Sequence, residues 1–199
     1  FKVFHAEAMI PAMQKNIPIN IKNTNNPKEK GTFIVNKRQA KSSEQIIGVA
    51  SRNHFCVFNI EKILLDQEIG FGRKLLEIFE CEGLSYEHCP SGIDSISVIL
   101  DQRQLTEEKT KDILKKIKET LNPETVSFEH NKCLISVVGI VLKRTPGIAG
   151  RITNSIACAA INIEMINQGA SEISLIIGID QKDASKAVNA IYNEFFNKV

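Results

Sequence analysis

The chain has 199 residues, enough for one large domain or two small ones. Its 43% apolar and 24% charged residues are typical of a soluble globular protein, and no apolar run approaches the ~20 residues that cross a bilayer. A formal net charge of +2 gives no electrostatic reason to expect a nucleic acid or a membrane as partner.

The first part of the chain predicts one helix, two short strands and a linker. Apolar residues recur at helical spacing within residues 5–15. Short strands are expected at 18–21 and 31–35, with turn-forming residues between them, and the polar segment 37–44 is expected to be a linker. The chain begins with Phe1 instead of an initiator Met, which suggests a fragment of a longer protein.

From residue 45 the pattern changes to compact α/β units. Gly83 is placed to end the first helix of this part, and Thr106 to cap the second. The element order is β-α-β-β-α-β, the split βαβ or ferredoxin-like arrangement. The predicted elements are strands at 46–51, 55–63, 84–89, 93–100 and 126–129, and helices at 68–82 and 106–121.

The same order then recurs in the second half of the chain. Displacing the sequence by 77 residues superimposes positions 70–100 on the later segment without a gap, and Gly70, Glu87 and Gly92 each meet an identical residue. This match indicates an internal repeat. The predicted elements of the second unit are strands at 134–142, 161–167 and 171–179, and helices at 146–160 and 183–196.

The second unit runs out of chain before its fourth strand, whereas residues 46–51 form a spare strand just before the first unit. An open sheet edge over a buried face would be costly. We therefore expect residues 46–51 to complete the second sheet, so that the first unit is an insertion within the second.

The loops at 65–72 and 143–150, before the first helix of each unit, are the most informative segments. A glycine there lets the backbone pass close to a ligand, and the free N–H groups of the following helix favour a carboxylate. Asp66, Glu68 and Glu87 are candidates for an ammonium group. The residues alone leave two interpretations open: a site for a free amino acid, or a tight turn with solvated acids.

These segments carry a resemblance to a known family. The Gly70 and Gly147 loops, each followed by helix, strand, turn and strand, resemble ACT domains, which are small-molecule-sensing modules. Three groups of segments together resemble aspartokinases along essentially the whole chain, with Ala6 as a departure from the proline that the family usually has. The groups are 5–12 with 17–19, 22–27 and 31–32 (end of the kinase domain), 68–74 with 87–94 (first ACT unit of lysine-sensitive bacterial forms), and 145–149 with 161–163 and 167–173 (second ACT unit).

The resemblance implies an α+β fold with two ferredoxin-like βαββαβ (ACT) domains, the first inserted into the second. The last helix and strands of an amino-acid-kinase domain would precede them. The expected divisions are 1–36 for the kinase remnant, 37–45 for the linker, 53–131 for the first ACT domain, and 46–52 plus 132–199 for the second.

Aspartokinases transfer phosphate from ATP to the side-chain carboxylate of aspartate, a step that opens the synthesis of lysine, threonine and methionine. The resemblance implies ATP and Mg²⁺ for the parent enzyme, and no cofactor and no catalytic residue in this fragment. The residues agree, since Gly70-Phe71-Gly72 lacks the third glycine of a phosphate loop. The five cysteines and four histidines have no metal-ligand spacing, so we expect no metal and a reducing, cytoplasmic location.

In the family, the effector binds where the first ACT units of two subunits pair, which implies a homodimer. Backbone N–H groups near Gly70 would hold the α-carboxylate, and Glu87 or Glu68 would meet a lysine ε-ammonium. Asn167 and Gln168 would contact the partner unit or form a second effector site. By motif position, the effector-binding residues are Leu65, Asp66, Glu68, Ile69, Gly70, Phe71, Gly72, Ser85, Tyr86 and Glu87.

Several alternatives stay open from the sequence. Phe71 suits a core position better than a ligand wall, and Glu87 could be a strand-end acid that faces water. The effector could be lysine, threonine or both. The whole region could instead be a structural dimerisation module without effector binding, or belong to a different ACT-containing enzyme or regulator.

Overall fold

The computed structural model describes residues 5–36, 46–139, 142, 145–169 and 173–197. The predicted linker at 37–44, Lys143 and Arg144 of the second glycine loop, and the start of the strand predicted at 171–179 lie outside the described residues. The chain divides into two compact units, Phe1–Lys41 and Ser42–Val199.

The elements of the first unit are α1 (Ala6–Gln14), β1 (Ile19–Ile21) and β2 (Thr32–Ile34). Those of the second unit are β3 (Gly48–Glu61), α2 (Phe71–Cys81), β4 (Ser95–Asp101), α3 (Glu107–Leu121), β5 (Thr125–Val138), α4 (Ile148–Cys158), β6 (Met165–Asn167), β7 (Ser174–Asp180) and α5 (Ala184–Phe196). Among the described residues, no helix is long and apolar enough to span a membrane.

The first unit confirms the predicted helix and pair of strands. β1 and β2 are antiparallel, with Ile19 opposite Ile34. Gly31 has a φ of +74°, and a Cβ atom there would lie 2.4 Å from the Ile21 carbonyl oxygen, so only glycine fits before β2.

The second unit is built on one antiparallel sheet with strand order β4-β3-β5-β7-β6. β3 and β5 have 14 residues each and pair with each other at the centre of the sheet. Residues 48–52 of β3 pair with 138–134 of β5, beside β7, and residues 55–61 pair with β4. The first residues of β3 therefore complete the sheet of the second repeat, and the predicted fold class is confirmed. The domain limits, 53–131 for the first ACT domain and 46–52 plus 132–199 for the second, stay predictions.

Three predictions about strands are wrong. The separate strands expected at 46–51 and 55–63 are one strand, β3, and those expected at 126–129 and 134–142 are one strand, β5. The strand expected at 84–89 is reduced to isolated bridges, His88 to Ile99 and Ser91 to Ile96. Pro90, directly after this segment, has no N–H to donate to a ladder.

β3 and β5 look interrupted in sequence because each carries an irregularity at its middle. His54 and Asn131 have left-handed backbones, with φ of 69° and 59°, and the β3–β5 register shifts between Arg52 and Val57. The His54 N–H donates to Gln181 Oε1 and the Asn131 N–H to Gln102 Oε1, both at 2.9 Å. An inserted residue changes which side chains face the core, so the apolar alternation of the two halves is out of phase.

Each repeat has its own hydrophobic core between the sheet and its two helices. Phe58 of β3 packs edge-to-face on Phe79 of α2, with ring centroids 5.3 Å apart. The first core also includes Ile60, Leu75, Val98, Ile113 and Ile117. The second includes Ile135, Val137, Ile152, Ile156, Ile177 and Ile191.

The N-terminus of α3 gives a direct test of the predicted cap. Thr106 accepts a hydrogen bond from the Lys109 N–H at 3.2 Å. We expect Thr106→Ala to lower the free energy of unfolding by about 1 kcal/mol in urea denaturation, because the freed N–H loses its partner. Thr153→Ala is the control, since the Thr153 hydroxyl donates back to the Ala149 and Gly150 carbonyls within α4 and caps no helix end. Equal losses for both variants would contradict the capping role.

Candidate functional site

The loop between β3 and α2 is fixed by the turn that precedes β4. The Leu64 N–H donates to Asp94 Oδ1 at 3.0 Å, and the Asp66 N–H donates to the Ile93 carbonyl at 3.1 Å. Asp94 was not among the residues predicted from the loop. A short acid beside Gly92 in a turn is the sequence signal that would have indicated it.

The start of α2 has the geometry expected of an anion site. Gly70 precedes the helix with a φ of +82°, and no side chain caps it. The Phe71 N–H donates to the Glu68 carbonyl at 3.2 Å, and the first intrahelical bond runs from the Lys74 N–H to the Gly70 carbonyl at 3.0 Å. The N–H groups of residues 72 and 73 are thus left for another acceptor.

The second repeat has the same local geometry. Gly147 has a φ of +86°, α4 begins without a side-chain cap, and the Arg151 N–H donates to the Gly147 carbonyl at 3.0 Å. Both loops therefore require a residue that tolerates a left-handed backbone, which explains why the glycines coincide in the repeat.

The apolar residues of the loop divide into two groups. Leu65 and Phe71 are buried in the core of the first repeat, where Lys62 Nζ lies 5.4 Å from the Phe71 ring centroid. Ile69 is 96% exposed, and Tyr86 is also exposed. Leu65 and Phe71 anchor the loop in the core, whereas Ile69 and Tyr86 are exposed and can contact another molecule.

Glu68 is paired within its own loop. Its carboxylate lies 2.6 Å from Lys62 Nζ and 3.8 Å from Lys74 Nζ. The hydrogen bond from Lys62 holds the pKa of Glu68 below its usual range, against a smaller opposing effect of burial. Glu68 is therefore ionised but already has two cationic neighbours.

Glu87 lies at the other end of β4. Its N–H donates to the Ile99 carbonyl at 2.8 Å, and its carboxylate accepts a hydrogen bond from Arg52. Arg52 also reaches Asp101 at 3.1 Å. Hydrogen bonds from Arg103, and then from Arg52, hold the pKa of Asp101 well below its usual range despite the opposing effect of burial.

Ser85 is also engaged within the chain. Both its N–H and its hydroxyl donate to Gln104 Oε1, at 3.1 and 3.2 Å. Asn167 and Gln168 lie at the end of β6 on the opposite edge of the sheet, and Gln168 is exposed. They thus belong to the second repeat, at the sheet edge opposite β4, whereas the other predicted site residues belong to the first repeat.

Within one chain the structure does not bring the two predicted halves of the site together. The loop is bonded to residues 93–94 at the start of β4, whereas Glu87 is bonded to Ile99. At about 3.4 Å per residue these positions are separated by roughly 17 Å. A single ligand could reach both halves only if they come from two copies of the chain.

Comparisons with known proteins agree with this architecture. A profile of the ACT domain family matches residues 135–195. Aspartokinase 3 of Bacillus subtilis is 45% identical over 196 residues, which are 98% of this chain and 43% of that protein. The aspartate kinase of Clostridium acetobutylicum, an allosteric enzyme, superposes with a TM-score of 0.90 at 41% identity, over 98% of this chain and 45% of that one.

A third likeness concerns the fold alone. Aspartokinase III of E. coli, in complex with lysine and aspartate in its T-state, superposes with a TM-score of 0.76 at 22% identity. The match covers 98% of this chain and 42% of that protein. The chain thus spans less than half the length of each of these three relatives.

The sheet with its two repeated glycine loops defines a tandem ACT-domain protein. Over almost its whole length the chain is homologous to aspartokinases, and it corresponds to the regulatory region that carries their ACT domains. Among the described residues, no group of three or more His, Cys, Asp and Glu side chains could hold a metal ion.

The left-handed glycine can be tested against a neighbouring helical glycine. We expect Gly70→Ala to lower the free energy of unfolding by about 1–2 kcal/mol, because an L-residue at a φ of +82° is strained. Gly72→Ala meets open space within α2 and should leave stability unchanged or raise it by about 0.5–1 kcal/mol. Urea denaturation measures both, and a stable Gly70→Ala variant would refute the strained loop.

Proposed function

We propose that this chain is the amino-acid-binding regulatory portion of an aspartokinase and mediates feedback inhibition by lysine. The parent enzyme would phosphorylate L-aspartate with ATP and Mg²⁺ to give 4-phospho-L-aspartate in the cytoplasm, and this fragment alone would be inactive. The observation that carries the proposal is the uncapped start of α2 behind Gly70, in a chain homologous to aspartokinases.

The effector would be held between two copies of the chain. Residues 84–91 lie along the outer side of β4, with His88 bridged to Ile99. If two copies pair antiparallel through this edge near His88, residues 85–87 of one approach residues 89–91 of the other. Those residues lead into the turn at 93–94 that holds the glycine loop. One amino acid then meets the N–H groups behind Gly70 from one copy and Glu87 from the other.

Exposed apolar side chains support this pairing. Exposed apolar surface often marks a contact between proteins when it forms a contiguous patch. The exposed apolar residues of the loop, the edge segment and the turn are Ile63, Leu64, Ile69, Tyr86 and Ile93. A second copy would cover them, which makes a homodimer through the ACT domains the expected assembly.

Lysine suits this arrangement because it carries a charge at both ends. The α-carboxylate would accept from the backbone N–H groups, and the ε-ammonium would bind the Glu87 carboxylate in a charge-assisted hydrogen bond. Arg52 and Glu87 are 51% and 40% exposed, so their present ion pair is weak and displaceable. Threonine has no side-chain ammonium for Glu87, and it is the second candidate effector. The lysine complex of the E. coli relative supports the choice.

Inhibition would follow from a population shift. Lysine would stabilise one arrangement of the paired ACT units over another, and inhibition could be no larger than that difference in binding free energy. Arg52 gives the site a connection to the second repeat, because it pairs with Leu134 on β5. From there the change would pass through the segment 37–44 to the kinase domain of the parent enzyme.

The second candidate is a dimerisation module without effector binding. The exposed apolar edge favours it as well, since that edge would pair whether or not an amino acid is present. The two functions differ in whether the residues around Gly70 and Glu87 bind a ligand.

Isothermal titration with L-lysine and L-threonine tests the proposal. We expect lysine to bind, and Glu87→Ala to weaken binding about 10- to 100-fold, because a hydrogen bond to a charged group is lost. Light scattering should show the same dimer for both proteins. Glu119→Ala is the matched control, since Glu119 is exposed on α3 beside Lys115.

Three outcomes would contradict parts of this account. No heat with either amino acid would favour the dimerisation module. Unchanged lysine affinity in Glu87→Ala would remove Glu87 from the site. A monomeric Glu87→Ala variant would give Glu87 a structural role instead.

A further inference from the structure

Glu164 occupies in the second repeat the position that Glu87 occupies in the first. The sequence repeat aligns them, and the N–H of each donates to a carbonyl of the strand that follows, although the two acceptors differ by two residues in register because Ile99 aligns with Ile176. The Glu87 N–H donates to the Ile99 carbonyl at 2.8 Å, and the Glu164 N–H to the Gly178 carbonyl at 2.9 Å. Each carboxylate also faces a basic residue from the middle of a long strand, Arg52 or Lys132.

The two basic residues differ in burial. Lys132 is 8% exposed, and its ammonium lies 2.9 and 2.7 Å from the two oxygens of Glu164 and 2.7 Å from Glu129. The side chain of Arg52 is half exposed. Burial disfavours the charge of Lys132, but the hydrogen bonds from Glu129 and Glu164 outweigh it and raise the pKa of Lys132. Its ammonium is therefore permanently charged and firmly held.

The three charged groups are among the residues that line a cleft of about 440 Å³ on the sheet face away from the helices. Strand residues of both repeats line it, including Val57, Asn59, Leu134 and Met165. Glu129 is exposed at the rim. A small cation from solvent could thus reach Glu164 if the Lys132 side chain were absent.

We propose that the second repeat keeps an ammonium-binding site equivalent to that at Glu87, and that the chain's own Lys132 fills it. The ligand of this site is a primary alkylammonium, and the side chain of Lys132 takes the place of a free one. One consequence of this inference rests on the proposed function, namely that only the first repeat binds a free effector. The exposed Arg52 can be displaced from Glu87, whereas the buried, doubly paired Lys132 stays in place.

Chemical rescue of Lys132→Ala tests the inference. The variant should have a lower Tm than the wild type, because two carboxylates lose their shared cation. Addition of n-butylammonium chloride, a primary ammonium with the four-carbon chain of a lysine side chain, should recover most of that loss by binding the native state. Tetramethylammonium chloride at the same concentration should not, since it has no N–H to donate. Lys132→Ala/Glu164→Ala should lose the rescue.

Lys116→Ala is the matched control, because Lys116 forms an ion pair with Glu82 at a more exposed position. It should show no specific response to n-butylammonium. Equal Tm shifts in the wild type, Lys132→Ala and Lys116→Ala would overturn the inference, as would an unchanged Tm in Lys132→Ala without rescue.

If Lys132→Ala is unfolded alone, the same titration is followed by circular dichroism. Recovery of the helical signal with n-butylammonium, and not with tetramethylammonium, supports the filled site, and no recovery overturns it. The assay does not depend on lysine binding at Glu87. Rescue without any lysine binding by the wild type would therefore reject the proposed function and leave this inference standing.

Discussion

The two 14-residue strands β3 and β5 are the constraint on which the rest of this molecule depends. Each strand serves both repeats, so each must change its pairing partners at its middle. The change occurs at His54 and Asn131, whose left-handed backbones donate to Gln181, which follows β7, and to Gln102, which follows β4. Residues at the ends of β4 and β7 thus stabilise the irregularities, and both repeats depend on the two shared strands.

The same constraint places a basic side chain beside the equivalent acid of each repeat. Arg52 comes just before the irregularity in β3, and Lys132 just after the one in β5. Each acid pairs with a basic residue, but the basic side chain is half exposed in the first repeat and buried in the second. A half-exposed pair is screened and exchanges its partners at little cost, whereas a buried ammonium cannot leave two carboxylates unpaired. Under the proposed function, the first repeat alone would bind a free ligand, whereas in the second the ammonium of Lys132 already pairs with the acid.

Local signals predicted most of the fold. Gly83 and Thr106 mark helix ends through backbone chemistry that acts within a few residues, and the missing fourth strand correctly indicated that the first repeat is inserted into the second. The irregularities could not be predicted, because side chains more than twenty residues away satisfy their N–H groups. The sequence likewise predicted Glu87 as an acid of the site but not its pairing with Arg52, which lies 35 residues away.

A direct test is amide NMR of the ¹⁵N-labelled chain titrated with L-lysine. We expect the largest chemical-shift changes on Gly70, Gly72 and residues 85–87, and a shift of the Arg52 guanidinium resonance as Arg52 leaves Glu87. The equivalent amides around Gly147 and Glu164 should stay unchanged. Shifts centred on the second repeat, or none in the first, would contradict the claim that a free amino acid binds only at Glu87, the acid whose basic partner is half exposed.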